Sequence, residues 1–494
     1  MHVSATGGSR IGARTVDWVH VVAPLDLKLP FWRYFELFRR RPYAFLLDSA
    51  KQAGGLGRFS FAGAEPVAVF QAKRTRGGPP RSARIRISRS PGLGGPRATE
   101  LVGDPLTELR LLLAELAPPE PPAGPTPFTA GAVGYFGYEA GHFVEELPDR
   151  GRDDLGMPDI QFGLFDLVLG HDHATAESYV SVIARNRRAA ESRLAATRRA
   201  IHELESSPPP AAPPATPRAP EFAQHFDRDG YAAAVEACRG HIIRGDAFEI
   251  CLTHRLQTPF AGDTWQLYGD LRAISPAPFA AYLELPGARV LSSSPERFLR
   301  LTADGLVESR PIKGTRPRGA TPQEDAALRD ELEASVKDRA ENMMIVDLVR
   351  NDLGRVCEIG SVEVSELMAI ERYATLFQMV STVRGRLEAG RDALDVVRAA
   401  FPGGSMTGAP KIEAMKIIDG LEPVKRGIYS GSIGYLDVSG AADLNIVIRT
   451  LIVKDGQCYL NVGGAIVADS DPFEEYDETM DKAHALKLAI AAAR

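Results

Sequence analysis

The chain has little cysteine, no long apolar run and no block of basic charge, and each shortage excludes a class of protein. Only four cysteines occur in 494 residues, Cys238, Cys251, Cys357 and Cys458. None forms a CxxC pair or stands at metal-ligand spacing, which excludes a disulfide scaffold and a cysteine-bound zinc site; reduced thiols of a cytoplasmic protein are expected. No apolar stretch approaches the ~18 residues of a membrane span. Residues 1–14 are rich in Gly and Ser without the apolar core of a secretion signal, so the expectation is a protein that stays inside the cell. Net charge is −6, and the basic run 73–89 is broken by Gly and Pro into a solvated loop or hairpin. With nothing to neutralise a phosphate backbone, nucleic acid is not an expected partner.

What is present is a globular composition, 44% hydrophobic and 25% charged, on a length that suits two to four domains or one large intertwined one. The clearest boundary is 206–220, with seven prolines and no large apolar residue, a stiff connector that cannot join a core. It divides an N-terminal subdomain, 1–205, from a C-terminal portion, 222–494, with 206–221 as linker. Helices are expected at 104–117, 187–205 and 229–244, and strands at 43–50, 128–139, 431–438, 444–453 and 459–467. The three glycines in 128–139 suit a strand pressed against a neighbour better than a phosphate loop. Strands run first and helices intervene irregularly, which favours an α+β fold of mostly antiparallel sheets over a doubly wound one.

Two acidic helical stretches stand out. Asp338 and Glu341 lie three residues apart and project from one helical face, and Glu475 and Glu478 repeat the spacing, with Lys482 one turn further on. Taken alone, such pairs suit a solvated face. If the two faces meet, four carboxylates crowd together and require a cation. Mg²⁺ suits an all-oxygen donor set better than Zn²⁺, which prefers His and Cys.

The order of several motifs resembles the chorismate-utilising enzymes, the family of anthranilate synthase component I and aminodeoxychorismate synthase component I. The motifs are Ser294-Pro295-Glu296-Arg297-Phe298, Pro311-Ile312-Lys313-Gly314-Thr315, the stretch 341–355, the glycine loop 401–411 and Val467-Ala468-Asp469-Ser470. A weaker likeness lies in Leu46-Leu47-Asp48-Ser49, which resembles the tryptophan-contacting region of anthranilate synthases, and in Gly57-Arg58-Phe59-Ser60-Phe61. The resemblance implies two large twisted sheets packed face to face with helices outside, around a Mg²⁺-dependent site. By position it makes Glu341 and Glu478 direct metal ligands, and Asp338 and Glu475 ligands through water. Asp338 is shorter than the Glu often found there. It assigns Arg449 and Tyr429 to a carboxylate of chorismate, and Lys482, the backbone of Gly463 and the pair Gly314 and Thr315 to further contacts. Glu296 becomes the proton donor to the departing hydroxyl. Two positions depart from the family pattern: Gln378 stands where a histidine is typical, and Ala465 where many members have a third glycine.

Within the resemblance, Lys313 discriminates between reactions, because aminodeoxychorismate synthases carry lysine there whereas anthranilate synthases usually carry alanine. A buried lysine with its pKa lowered would be a nucleophile toward the ring. Glu249 stands where the water-adding branch has a lysine, which disfavours water as the nucleophile. The implied reaction converts chorismate and ammonia to 4-amino-4-deoxychorismate, toward 4-aminobenzoate and folate. Because no cysteine lies in a Gly-rich nucleophile elbow, ammonia is expected from a separate glutamine amidotransferase subunit. Anthranilate formation is the alternative, and a catalytically silent binder of chorismate or a partner is the reading from another class.

Overall fold

The computed structural model describes residues 18–52, 55–90, 93, 97–118, 125–207, 220–372 and 376–493. Most of the linker 206–221 lies outside the described residues, as do residues 1–17 and the centre of the Pro-rich loop before Phe128.

Local chemistry starts the helices where the sequence places them. Asp104 accepts hydrogen bonds from the backbone of Leu106 and Thr107 ahead of the helix Pro105–Leu116, and Asp227 caps Arg228–Ile243 by accepting from Gly230. Such caps satisfy amide groups that the first turn leaves without partners. The long helix Arg187–Ser206 is capped by Asn186. The basic run resolves as a hairpin, the strands Ala68–Lys73 and Ala83–Arg89 pairing antiparallel. Glycine allows the tight contact expected of 128–139: a Cβ at Gly134, in the strand Gly131–Phe136, would stand 2.0 Å from the Gln161 carbonyl oxygen.

Two 12-stranded sheets form the centre of the molecule. A shared apolar layer holds them face to face, with Phe45, Phe61, Leu283 and Val290 from one sheet meeting Val133, Tyr135 and Tyr435 from the other. The Phe61 and Tyr435 rings meet edge-on with centroids 5.5 Å apart, and Phe45 and Phe165 at 4.5 Å. Helices Thr264–Ile274 and Pro472–Ala492 pack outside the first sheet, and Val336–Gly354 and Ala393–Ala400 outside the second. The expected layering is therefore the one observed.

The N-terminal and C-terminal portions share both sheets. In the first, Phe45–Asp48 pairs with Phe279–Leu285, Leu46 standing opposite Tyr282; in the second, Gly131–Phe136 pairs with Ser432–Asp437. Each portion thereby covers a strand edge that the other would leave open.

The strand expected over 444–453 is in fact two. Ala442–Asn445 belongs to the second sheet and Thr450–Lys454 to the first, and the chain crosses between them. The run looks continuous in sequence because the crossing residues Ile446 and Val447 are themselves buried. Arg449 lies at the end of the crossing with φ +49°, a left-handed conformation rare for a side chain of its size. No described helix is long and apolar enough to cross a membrane.

Because Phe45 is 1% exposed in the layer between the sheets, Phe45→Ala is expected to lower unfolding stability by about 3–5 kcal/mol. Urea unfolding measures it, and a loss below about 1 kcal/mol would show that the layer closes around the deletion.

Candidate active site

The site is built around the strand Ile312–Pro317, which carries a bulge. Ile312 pairs with Val380 and Thr315 with Gln378, so three steps on one strand face two on its neighbour. Gly314 takes φ +89° within it. A bulge with a left-handed glycine turns the adjoining side chain off the regular alternation. A Cβ on Gly314 would stand 2.9 Å from the Cβ of Asp338, so the glycine also lets the strand lie against the acidic helix Val336–Gly354. Thr315, the next residue, points its side chain to the exposed side, and Gln378 opposite it is buried.

Lys313, aimed inward, meets carboxylates from other elements. Its Nζ is 2.6 Å from Glu249 Oε1 and 3.8 Å from Glu341 Oε2. The lowered pKa expected of a buried lysine is not what the structure gives. Burial does oppose the charge, but Glu249 and then Glu341 outweigh it, and the Lys313 pKa lies above the ordinary lysine value. Reasoning from burial alone misses the partner, which lies 64 positions away in sequence.

Glu296 follows the strand Ala288–Ser294 and is 6% exposed. Burial pushes its pKa up to about 7, against the opposing effects of a hydrogen bond from the Ser405 hydroxyl, the nearby Lys313 and the Ile312 amide. Such a carboxyl is poised to give up a proton near neutrality. Ser405 comes from the glycine loop, in the short turn Gly404–Met406; the sequence marks the loop but not which of its side chains meets Glu296.

The two acidic helices converge on this cation. Asp338 and Glu341 lie on the first, which Ser335 caps by accepting from the Asp338 amide. Glu475 and Glu478 lie on Pro472–Ala492. Lys337 is within electrostatic reach of Glu341, Glu475 and Glu478, and Lys313 within reach of Glu478. Burial raises the pKa of Glu341 and Glu475, with Asp338 adding to the first and Glu478 to the second. For Glu478 burial works the same way, but Lys482 at 2.6 Å overcomes it and holds the carboxyl below the usual range. Lys482 also donates to the Gly463 carbonyl at 2.9 Å. Gly464 makes room for Glu475, whose Oε2 would lie 2.8 Å from a Cβ there.

Among the described residues no three acidic, His or Cys side chains gather closely enough to enclose a metal. Each acid has a nearer partner: Arg316 with Asp338 at 3.1 Å, Lys313 with Glu341, the Ser470 hydroxyl with Glu475 at 2.6 Å, and Lys482 with Glu478. The donor set itself, four carboxylates of which two resist ionising, has the chemistry that a hard divalent cation satisfies.

Arg449 supplies unpaired positive charge. Burial lowers its pKa, and its guanidinium has no hydrogen-bond or ion-pair partner among the described residues. A desolvated cation without a partner is costly and suits an anionic ligand. Tyr429 is buried, and burial raises its pKa, with Cys251 nearby.

A family model described as chorismate binding enzyme matches residues 45–488. The chain belongs to that family. It is 45% identical over 467 residues to an aminodeoxychorismate synthase of Streptomyces pristinaespiralis, covering 92% of this chain and 63% of the relative. The chain thus spans less than two-thirds of that relative's length. It is 39% identical over 507 residues to anthranilate synthase component 1 of Streptomyces coelicolor, covering 99% of this chain and 93% of the relative. Among solved structures, anthranilate synthase component I from Streptococcus pneumoniae superposes with a TM-score of 0.74 at 30% identity, covering 87% of this chain and 92% of that one.

Titration of the Glu296 carboxyl, followed as the infrared difference between the protein and Glu296→Gln, is expected to show a midpoint near about 7. Ser405→Ala should move it higher, since that hydroxyl favours the ionised form. A midpoint at an ordinary glutamate value would mean that water reaches the group.

Proposed function

We propose that this protein aminates chorismate to 4-amino-4-deoxychorismate, using ammonia from a separate glutaminase subunit and a bound Mg²⁺, in the cytoplasm and toward 4-aminobenzoate and folate. The observation that carries the reading is Lys313: a buried amine turned inward by a bulge, with Glu249 and Glu341 against it and Glu296 within electrostatic reach. The name of the Streptomyces pristinaespiralis relative supports it. The partner is supported by the description of other relatives as component 1 of a synthase.

Chorismate carries two carboxylates and an allylic hydroxyl. Arg449, half-buried and without a partner among the described residues, is the cation for one carboxylate, and Tyr429 is assigned to the same group. Lys313 must lose a proton before its nitrogen can bond to carbon, and Glu249 Oε1 at 2.6 Å is positioned to accept it. The amine then attacks a ring carbon next to the one bearing the enolpyruvyl side chain, and the C–O bond on the other flank breaks. Glu296 gives its proton to the departing oxygen, which leaves as water. Ammonia bonds to the vacated carbon, and lysine leaves with its bonding pair. The extra proton on the new amine returns to Glu296, so the sum is chorismate plus ammonia to aminodeoxychorismate plus water. Glu341 and Glu478 directly, and Asp338 and Glu475 through water, would hold Mg²⁺, which when bound would neutralise a substrate carboxylate and polarise the ring.

Anthranilate synthesis is the second reading, favoured by the length match to the Streptomyces coelicolor relative. Purified protein incubated with chorismate, Mg²⁺ and ammonium separates the two by product. Lys313→Ala is expected to slow aminodeoxychorismate formation by roughly a hundredfold or more, about 2.7 kcal/mol of barrier, with anthranilate gaining share. An unchanged product and rate would remove Lys313 from the reaction. Glu478→Ala should lose activity and Mg²⁺ binding by calorimetry together, and full retention of both would refute the ligand assignment.

A further inference from the structure

Glu249 has one oxygen that the arrangement described so far leaves unused. Its side chain is 0% exposed, at the start of the strand Glu249–Pro259. Oε1 receives the Lys313 ammonium at 2.6 Å, whereas Oε2 is fully buried with no hydrogen-bond partner among the described residues. The backbone there is fixed on both sides: Glu249 pairs with Ala409, and a Cβ on Gly408 would come within 2.1 Å of the Glu249 carbonyl oxygen. The backbone that carries the carboxylate is thereby held in place. A buried acceptor left unmade costs about 1–3 kcal/mol, and its location beside the reactive amine gives that cost a use.

We propose that Glu249 Oε2 is the ammonia site, accepting an N–H from the incoming nucleophile and holding it beside Lys313. The inference rests on the amination reading above. Two oxygens of one carboxylate present two nitrogens side by side, and the reaction needs them so. Lysine is bonded to one carbon flanking the side-chain-bearing position while ammonia attacks the other flank. As the new C–N bond forms, the lysine C–N bond breaks and the lysine nitrogen, carrying the bonding pair, returns to Oε1. Ammonia is small, uncharged and a donor, the chemistry that a single buried acceptor next to a cation selects. Water can donate too, but once Oε1 has taken the Lys313 proton the carboxyl is neutral and too weak a base to activate water, whereas ammonia attacks without first losing a proton.

The test follows the covalent adduct rather than overall turnover. The full-length protein is mixed with chorismate and Mg²⁺, quenched at intervals and weighed intact; the adduct has the mass of protein plus chorismate less water. Ammonium chloride is then titrated to find the concentration that clears half of it. Glu249→Met keeps the length and removes both acceptors, and is expected to raise that concentration at least tenfold. Glu249→Gln keeps one acceptor oxygen and should restore most of the loss. If Glu249→Met forms the adduct and clears it at the parent's ammonium concentration, the ammonia assignment is wrong while the amination reading stands. The assignment is equally wrong if Glu249→Met forms no adduct and Glu249→Gln clears it with no change in ammonium dependence, since Glu249 would then serve only Lys313. Should the unsubstituted protein form neither adduct nor aminodeoxychorismate, the amination reading falls, and this inference with it.

Discussion

The enclosed ammonium of Lys313 is the constraint to which the rest of the site refers. A charge taken out of water must be repaid by close, well-directed partners. Here the partners arrive from separate elements: Glu249 from a strand of the first sheet and Glu341 from a helix on the second, with Glu478 on the last described helix within electrostatic reach. No one of these elements can shift without exposing or orphaning a charge. The cation thus ties together the two layers, which also meet through the apolar layer and through contacts such as the Asn445 amide donating to the Phe279 carbonyl at 3.1 Å. It also determines what each carboxylate can do. Glu296, also buried and within electrostatic reach of the lysine, keeps its proton up to about pH 7, while Glu249, in contact with the lysine, would be the acceptor on the proposed reading.

That division of labour explains the raised lysine pKa without conflict with a nucleophilic role. A lysine made permanently neutral by burial would need no carboxylate partner and would be free to react without substrate. One held as an ammonium reacts only when its proton has somewhere to go, and the 2.6 Å contact to Glu249 supplies the place. A divalent cation drawn to Glu341 would also weaken that acid's hold on Lys313, because both compete for the same charge. Metal binding there would thereby bring the amine toward its reactive form.

Much of this was legible in the sequence, and what was not has a physical reason. The i,i+3 spacing of Asp338 with Glu341 and of Glu475 with Glu478 fixes each pair on one helical face. Gly314 after Lys313 is a local signal for a bulge. Glu249 as the partner of Lys313 has no such signal, because ion pairing acts through space and the intervening chain passes through several strands. The crossing at 446–449 was invisible for the opposite reason: Ile446, Val447 and Ile448 are as apolar as the strands on either side, so hydrophobic pattern cannot register a change of sheet. The sharing of both sheets by the two portions depends on pairings such as Leu46 with Tyr282, whose register is set by tertiary packing.

The shared sheets bear directly on the chemistry. Arg449 reaches its position because the chain changes sheet at that point, and a regular strand would have carried its side chain along one face. Its left-handed conformation is a local cost of about 1–3 kcal/mol, borne where the backbone is fixed by Ser293, whose amide donates to the Arg449 carbonyl at 3.0 Å. The crossing places a guanidinium without a partner among the described residues in the same molecule that gathers carboxylates around Lys313. A ligand with one anionic group for the arginine and another for a carboxylate-bound cation satisfies both ends at once. A monoanion satisfies only one, so on the proposed reading a dicarboxylate would be held at both ends before any contact with the ring is made.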